Sequence, residues 1–402
     1  TDLFAPPTVY IVPNLLRSHA DVAMKFSASS ADLLDALNTV KGAVPSKSTL
    51  PILECILFEQ SDDGSALLLS ATDLEISIVR RVPVQFATNG TSTPTRIAVP
   101  AKRLIDTLRA LPDLPISFTA DGDFEIQLET DQGHYKMVGH DGDDFPDLPE
   151  VDAAHTLSAE GALVRDAIDK TSFAVSKDAL RPAMMGIYFQ LDAENSRIVA
   201  TDGHRLVKLD RPALQTEGDD VSFIVPEKAT KLVSRILDDD ALCTIGVSDG
   251  HVSFTIDEAR IIARLIDETY PNYNAVIPDE NDRQLVVNRE ALLSAVKRVG
   301  LYSSSMTNQI RLALSESEMT VSAEDIERSS EAKEVIRCEY DSEAMEIGFN
   351  SEYLTEVLGN VDTEEVLFRL SSPNRAGIVV PNNTDDPDIL MLIMPVMLNT
   401  YA

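Results

Sequence analysis

Hydrophobic and polar residues alternate along this chain with two different periods. In six windows the period is helical: apolar residues recur at positions i, i+1 and i+4, as at Leu33, Leu34 and Leu37, while charged residues occupy the opposite side. Such a stripe predicts amphipathic helices that each bury one face. The six predicted helices are 30–44, 101–111, 160–173, 226–238, 289–300 and 351–361.

Between these windows the period is two, as at Phe124, Ile126 and Leu128. Strands with this alternation cover a core with one face and expose the other. The dipeptides Asp63-Gly64, Asp121-Gly122 and Asp249-Gly250 predict tight hairpins between them. The pattern therefore predicts an α+β protein in which antiparallel sheets pack on helices.

Local signals predict where some helices begin. Ser29 or Ser30 is the expected N-cap of the first helix, and Ser351 is the expected N-cap of the last. Pro226 fits the first position of the fourth helix, because its fixed φ suits a helix start.

The same unit is written three times. A short acidic step at a strand end reads SATDLE at 70–75, VATDGHRL at 199–206 and SAEDIE at 322–327. Its aspartates lie about 125 residues apart, which indicates repeated domains rather than a solenoid. Two helices and several strands recur in one order around each step. The sequence therefore predicts domains at 24–150, 151–281 and 282–402, preceded by an extension, 1–23, that we expect to be mobile.

Charge is distributed unevenly over these predicted elements. The chain has a net charge of −32, yet the six helical windows together are nearly neutral. The excess of acidic residues therefore lies on strands and loops. One interpretation is that the helices face a polyanion; the other is that helices simply favour Lys and Arg. The three cysteines, Cys55, Cys243 and Cys338, form no CxxC pattern, which fits buried thiols in a cytoplasmic protein and no disulfide or zinc framework.

Catalytic and cofactor signatures are sparse. The sequence contains no Walker loop, GxGxxG or nucleophile elbow, and its six histidines show no metal-ligand spacing, so we expect no cofactor and no metal. A hydrolase would pair Asp202 with His204 as orienter and base, but no residue is indicated as its nucleophile. The structural alternative is a strand-end turn in which Asp202 bonds backbone amides and Gly203 adopts a positive φ.

The chain from Met24 to Leu398 resembles the bacterial DNA polymerase III β subunits, the sliding clamps. The resemblance rests on segments spread over the chain: Thr49-Leu50-Pro51-Ile52-Leu53, Ala71-Thr72-Asp73-Leu74-Glu75, Asp144-Phe145-Pro146, Ala200-Thr201-Asp202-Gly203-His204-Arg205-Leu206, Tyr270-Pro271-Asn272-Tyr273, Met345-Glu346-Ile347-Gly348-Phe349-Asn350 and Met394-Pro395. It implies three clamp domains per chain and a head-to-tail homodimer that forms a six-domain ring. Duplex DNA passes through such a ring without sequence preference, and the ring tethers a replicative polymerase without catalysing a reaction.

The resemblance also implies a peptide groove between the second and third domains, where polymerases, the clamp loader and other partners dock through short motifs. The matching positions are Met184, Thr201, Gly203, His204, Arg205, Leu206, Pro271, Val276, Leu392, Ile393, Met394, Pro395 and Val396. The C-terminal tail 399–402 could reach this groove.

Two further surfaces follow from the resemblance. The inner helices would contact phosphates through Lys47, Lys102, Arg103, Arg109, Arg165, Lys170, Arg181, Lys228, Lys231, Arg235, Lys297 and Arg298. The ring interface would join Tyr135 and Met137 of one copy to Leu301 and Tyr302 of the next. The alternative within the family is a paralog that binds partner peptides without a role in replication.

Overall fold

The computed structural model of the chain describes residues 22–87, 96–214, 219–382 and 388–398, with side chains from Met24 onward. The predicted extension, apart from the backbone of its last two residues, and the tail 399–402 lie outside these residues. Contacts divide the chain into two compact units, Thr1–Leu148 and Pro149–Ala402.

The first unit contains two helices and ten strands in its described part. These are β1 Val22–Ser29, α1 Ser30–Val40, β2 Cys55–Gln60, β3 Ala66–Thr72, β4 Ile76–Pro83, β5 Gln85–Phe86, β6 Arg96–Pro100, α2 Ala101–Ala110, β7 Pro115–Asp121, β8 Glu125–Glu129, β9 His134–Val138 and β10 His140–Asp141. One sheet has the order β5-β1-β7-β8-β9, and a second run has the order β10-β6-β2-β3-β4. All of these pairs are antiparallel.

The second unit contains four helices and sixteen strands in its described part. These are β11 His155–Glu160, α3 Gly161–Ser172, β12 Gly186–Leu191, β13 Arg197–Thr201, β14 Arg205–Asp210, β15 Val221–Pro226, α4 Glu227–Ile236, β16 Leu242–Val247, β17 His251–Ile256, β18 Ala259–Arg264, β19 Arg283–Asn288, α5 Arg289–Gly300, β20 Gln309–Leu314, β21 Glu318–Asp325, β22 Ser330–Tyr340, β23 Met345–Asn350, α6 Ser351–Gly359, β24 Glu365–Leu370, β25 Gly377–Pro381 and β26 Ile389–Ile393. Twelve strands form one sheet, β15-β12-β13-β14-β26-β25-β24-β19-β22-β21-β20-β23, and β18-β17-β16-β11 form another run.

The predicted helices and hairpins are confirmed, and each helix lies within one or a few residues of its predicted window. Each helix follows a strand directly, and the helices pack in the pairs α1 with α2, α3 with α4 and α5 with α6. Their apolar stripes are buried; Leu33, Leu37 and Leu104, for example, are fully shielded from solvent. Burying such side chains against a sheet stabilises each by about 2 kcal/mol, so the stripe rather than propensity fixes the helices.

The start signals were only partly right. Ser29 caps α1, because its hydroxyl accepts from the backbone nitrogens of Ala31 and Asp32. Ser351 is not a cap: Asn350, one residue earlier, accepts from the first-turn amides of α6. Pro226 occupies the N-cap position of α4 rather than its first turn. In both cases strand pairing continues one residue further than the local signal indicates, since Asn350 and Pro226 still have cross-strand partners.

Each unit has an aromatic contribution to its core. In the first, Phe118 stacks between Phe26 and Phe58, with ring centroids 4.8 Å and 5.3 Å away. In the second, Phe189 stacks on Phe223 at 5.3 Å. The three cysteines are buried and unpaired, as predicted. Burial raises the pKa of the Cys55 thiol to about 11 and of the Cys243 thiol to about 12, so neither is a thiolate at neutral pH.

Candidate functional site

The acidic step of the second repeat forms the hairpin between β13 and β14. The Asp202 carboxylate accepts hydrogen bonds from the backbone nitrogens of His204 (2.8 Å) and Arg205 (2.9 Å). The Thr201 hydroxyl donates to the Arg205 carbonyl at 2.7 Å and accepts from the Gly203 nitrogen at 3.1 Å. Gly203 has φ +87°, where a side chain would be strained. The turn is therefore held by its own side chains, and it presents Gly203 and His204 to solvent.

This geometry removes the basis of the hydrolase hypothesis. The second oxygen of Asp202 accepts from Nε of Arg205 at 3.2 Å, so both carboxylate oxygens are engaged by the turn. The His204 ring instead lies against Tyr353, with ring centroids 5.9 Å apart. An orienting carboxylate would have to bond the imidazole, and here it bonds the backbone. The structural alternative for Asp202 and Gly203 is confirmed.

Strand β26 forms a second wall beside this turn. It pairs antiparallel with β14, which places Leu392 opposite Leu206 and Ile393 opposite Arg205. Just beyond the strand, the Met394 nitrogen donates to the His204 carbonyl at 2.8 Å. Two segments almost 200 residues apart in sequence are therefore joined by a continuous backbone ladder.

The chain beyond Met394 turns toward β23. The Val396 nitrogen donates to the Gly348 carbonyl at 2.9 Å, in an isolated antiparallel bridge. A Cβ at Gly348 would lie 2.6 Å from the Val396 carbonyl oxygen, so only glycine permits this close approach. Pro395 and Val396 are therefore held half-buried along the edge of that strand.

An apolar cluster lies beneath the two walls. It contains Val199, Leu206, Ile224, Tyr270, Tyr273, Ala376 and Leu392, with Ala183 and Tyr188 packed against it. Tyr188 and Tyr270 are stacked at 4.5 Å, and the Tyr273 hydroxyl donates to the Gln190 side chain at 2.9 Å. These contacts fix the segment that carries Pro271, together with the short 3-10 helix Tyr273–Val276.

The predicted groove residues divide by exposure. Gly203, His204, Val276 and Met394 are exposed, and Met184, Pro271, Pro395 and Val396 are half-buried. Thr201, Arg205, Leu206, Leu392 and Ile393 are buried. The first eight can offer surface to a ligand, whereas the last five support that surface. Met394 and Val276 are the exposed apolar side chains among the eight, and the turn supplies polar groups.

Two side chains near the turn were not among the predicted groove residues. Tyr353 on α6 lies beside His204, and only the packing of α6 brings it there. Arg181 was predicted to contact DNA. One of its terminal nitrogens is 2.7 Å from where a Cβ on Gly203 would stand, so its side chain lies over the turn between β13 and β14. Arg181 also pairs with Asp178 at 2.9 Å, and hydrogen bonds from Leu180 and Arg181 hold the pKa of that carboxyl below its usual value.

The predicted DNA contacts lie on helices α2 to α5 and on the loops that carry Lys47 and Arg181. Among them, exposed side chains belong to Lys47, Lys102, Arg103, Arg109, Arg181, Lys228, Lys231, Arg235, Lys297 and Arg298. Several are in ion pairs: Arg109 with Asp106, Arg165 with Asp239, Lys170 with Asp166 and Asp362, Lys231 with Glu227, and Arg298 with Glu334. An acidic partner weakens the attraction of each base for phosphate.

The predicted interface residues occupy two different settings. Tyr135 and Met137 lie on β9, the end strand of the first unit's five-stranded sheet. Tyr135 lines an open cleft of about 850 Å³ with residues of α2, whereas the Met137 side chain is buried in its own unit. Leu301 and Tyr302, just after α5, are 81% and 45% exposed. Both side chains are therefore available for contact with a partner.

Within the described ranges, no group of three or more His, Cys, Asp or Glu side chains is arranged to hold a metal ion. No helix of the same ranges is long and apolar enough to cross a bilayer.

Three family models match the chain in succession. The N-terminal, central and C-terminal domains of the DNA polymerase III beta subunit match residues 24–149, 159–272 and 274–397. Among curated relatives, a beta sliding clamp of Pseudomonas aeruginosa is 32% identical over 377 residues, 93% of this chain and 100% of that protein. One from Pseudomonas putida is 31% identical over 373 residues, 92% of this chain and 100% of that protein.

Solved structures have the same fold along almost the whole chain. The DNA polymerase III subunit beta of Pseudomonas aeruginosa has a TM-score of 0.86 at 31% identity, covering 93% of this chain and all of that one. A sliding clamp from Bartonella birtlesii, bound to griselimycin, has a TM-score of 0.87 at 28% identity, covering 93% of this chain and all of that one.

Proposed function

This chain belongs to the family of DNA polymerase III beta subunits, the beta sliding clamps, and from that premise we propose how it works: two copies close head to tail around duplex DNA and hold partner proteins there. Membership of the family makes it a processivity factor and not an enzyme. The paralog alternative has no observation in its favour. The activity belongs in the cytoplasm, where the DNA that a clamp serves is replicated.

The observation that carries the tethering proposal is the meeting of the turn Thr201–Leu206 with β26. It places Met394 and His204 side by side, with Val276 and Pro271 on a fixed segment of the same unit. We propose that short peptides of a polymerase, a clamp loader and other partners bind here, with apolar side chains on Met394 and Val276 and polar groups on the turn. The domain boundaries 24–150, 151–281 and 282–402 belong to the same proposal.

The experiment for the groove is a fluorescence-polarisation titration with a labelled short peptide that has a glutamine at its first position and apolar residues at its other end. Micromolar binding, about −8 kcal/mol, is expected. Met394→Ala should weaken it by about 1–3 kcal/mol, because an apolar anchor is lost. Met306→Ala is the matched control, since Met306 is an exposed methionine outside the predicted groove residues. Equal affinity of wild type and Met394→Ala would contradict the groove.

The ring proposal rests on Leu301 and Tyr302, two exposed apolar side chains at the end of α5. A closed head-to-tail contact would bury them against the strand of Tyr135 and Met137 in the next copy. Leu301→Ala with Tyr302→Ala should convert a dimer to a monomer in light scattering, while Leu180→Ala, a change at another exposed leucine, should leave the dimer intact. A dimer that survives the double substitution would exclude this interface.

For DNA, we propose a weak attraction that leaves the ring free to slide. The exposed lysine and arginine side chains on α2, α4 and α5 attract phosphates, and their acidic neighbours limit that attraction. Loaded rings should therefore stay on circular DNA and leave linear DNA from its ends. Arg103→Glu with Lys228→Glu should impair loading more than Arg337→Glu, a change on β22; equal retention on linear and circular DNA would reject topological binding.

A further inference from the structure

The guanidinium of Arg205 is hydrogen-bonded through all three of its nitrogens beneath the turn between β13 and β14. It is 7% exposed, and its Nε donates to Asp202 at 3.2 Å. One terminal nitrogen donates to the Phe173 carbonyl at 2.6 Å, and the other donates to the Glu356 carboxylate. Each guanidinium nitrogen is thus hydrogen-bonded inside the protein, two of them to carboxylates, and little of the side chain is exposed to a ligand.

These bonds connect three elements of the second unit. Arg205 and Asp202 belong to the turn, Phe173 is the C-cap of α3, and Glu356 lies on α6. The guanidinium also lies over two rings, 4.6 Å from the Tyr353 centroid and 5.3 Å from that of Phe173. Cation–π contacts of this kind add to the hydrogen bonds where the cation is shielded from water. Arg205 therefore holds the turn against both helices.

The same set of contacts reaches the exposed face of the groove. Tyr353, which covers Arg205 from one side, also stacks beside the His204 ring. The His204 carbonyl in turn accepts from the Met394 nitrogen at 2.8 Å. A movement of α6 relative to the turn would thus change the positions of His204 and Met394 together.

We propose that Glu356 and Arg205 are positioning residues for the peptide groove: neither touches the peptide, and the carboxylate on α6 sets peptide affinity by fixing the guanidinium under the turn. The inference rests on the proposed peptide binding at this site. It predicts that a residue on the far side of the turn from the ligand controls affinity. Because Asp202 and the Phe173 carbonyl remain when Glu356 is lost, the turn loosens without unfolding.

The test compares Glu356→Ala and Glu356→Gln with Glu352→Ala, which removes a carboxylate one turn earlier on the same helix. The probe is the labelled glutamine-first peptide, and hydrogen exchange of the peptide-free protein reports on the amides of His204 and Arg205. We expect Glu356→Ala to weaken binding by about threefold to tenfold, as for one half-exposed ion pair, and to speed exchange of those amides. Glu356→Gln keeps an acceptor oxygen and should restore most of both, while Glu352→Ala should change neither.

Three results would overturn the proposal. They are unchanged affinity in Glu356→Ala, an equal loss in Glu352→Ala, and a loss that glutamine does not restore and that accompanies a lower unfolding temperature. If wild type binds no such peptide, the groove itself is wrong. The exchange rates in peptide-free protein would then still show whether Glu356 holds the turn.

Discussion

The first two acidic steps form the same turn in very different surroundings. Asp73 accepts from the backbone nitrogens of Glu75 and Ile76 just as Asp202 accepts from those of His204 and Arg205. Thr72 repeats the hydroxyl bonds of Thr201. The local sequence thus produces the same turn twice, because Asp and Thr side chains of the turn hydrogen-bond its own backbone.

The differences lie at two positions of the turn. Leu74 has φ +77° where the second turn has Gly203, and its side chain is exposed. Ile76, a buried apolar residue, stands where the second turn has Arg205, which bonds two helices. The first turn is thus a strand connection, and the second is tied into a surface built from several elements. The proposed binding surface therefore depends on what packs around the second turn rather than on the turn itself.

The largest effect is expected from removing the capping carboxylate of each turn. Asp202→Ala should lower the free energy of unfolding by about 3 kcal/mol, because it also deprives the buried Arg205 of a partner. Asp73→Ala should cost less, about 1 kcal/mol, because the buried Ile76 stands where the second turn has Arg205, so no guanidinium at that position loses a partner. Urea unfolding of both variants measures the difference; equal costs would show that the Arg205 contacts add nothing to the second turn.

Next in size is the effect of a side chain at Gly203. Gly203→Ala should cost about 1–2 kcal/mol, since an L-residue at φ +87° is strained and its Cβ would stand 2.7 Å from the Arg181 guanidinium. Thermal unfolding tests the stability, and peptide titration tests whether moving Arg181 alters the groove. Gly250→Ala is a suitable control, because Gly250 has no positive φ and a Cβ there would meet no atom within 4 Å. A variant as stable as wild type would mean that the turn relaxes freely.

A smaller effect of opposite sign is expected in the first turn. Leu74→Gly should raise the free energy of unfolding by up to about 1 kcal/mol, because relief of strain at φ +77° exceeds the added freedom of the unfolded chain. Leu74→Ala should be nearly neutral, since alanine keeps the strain. Denaturant titrations measure the free energy of unfolding of both variants. A destabilised Leu74→Gly would show that the leucine side chain stabilises the fold by more than the backbone strain at this position destabilises it.

The smallest effect concerns pH, at the opposite end of β14. Arg211 pairs there with Asp166 and Asp388, and Lys170 bridges Asp166 and Asp362. Burial acts to raise the pKa of Asp166, but the bonds from Arg211 and Lys170 outweigh it and hold that pKa below 3.8. The folded value is lower than the unfolded one, so this stabilisation is present at neutral pH and is lost as the pH falls below about 4.

Asp166→Asn should therefore be less stable than wild type at pH 7, and the difference should shrink toward pH 3. Unfolding at several pH values measures it, with Asp388→Asn as a second member of the same chain of charges. A constant difference across this range would mean that the ionisation of Asp166 does not contribute.

Much of the fold could be predicted from the sequence, because the signals concerned are local. The stripe at Leu33 and Leu37, the alternation at Val252 and Phe254 and the hairpin dipeptides each act within about ten residues. The helix starts at Asn350 and Pro226 were misplaced by one residue, since cross-strand pairing from distant segments extends the preceding strands. Resemblance to a family supplied the groove positions, which periodicity alone could not have given.

The sequence by itself determined the six predicted helices, the repetition of the acidic step and the backbone-bonding role of Asp202, because short-range hydrogen bonds and one-face burial decide them. Only the tertiary structure decided that Tyr353 stands beside His204, that Arg181 lies over Gly203 and that Arg205 is buried between α3 and α6. Those contacts join residues up to about 150 positions apart, and they exist because β14 pairs with β26 and brings α6 against the turn. No local sequence pattern predicts these contacts, because the surfaces whose burial stabilises them touch only when the whole unit is folded.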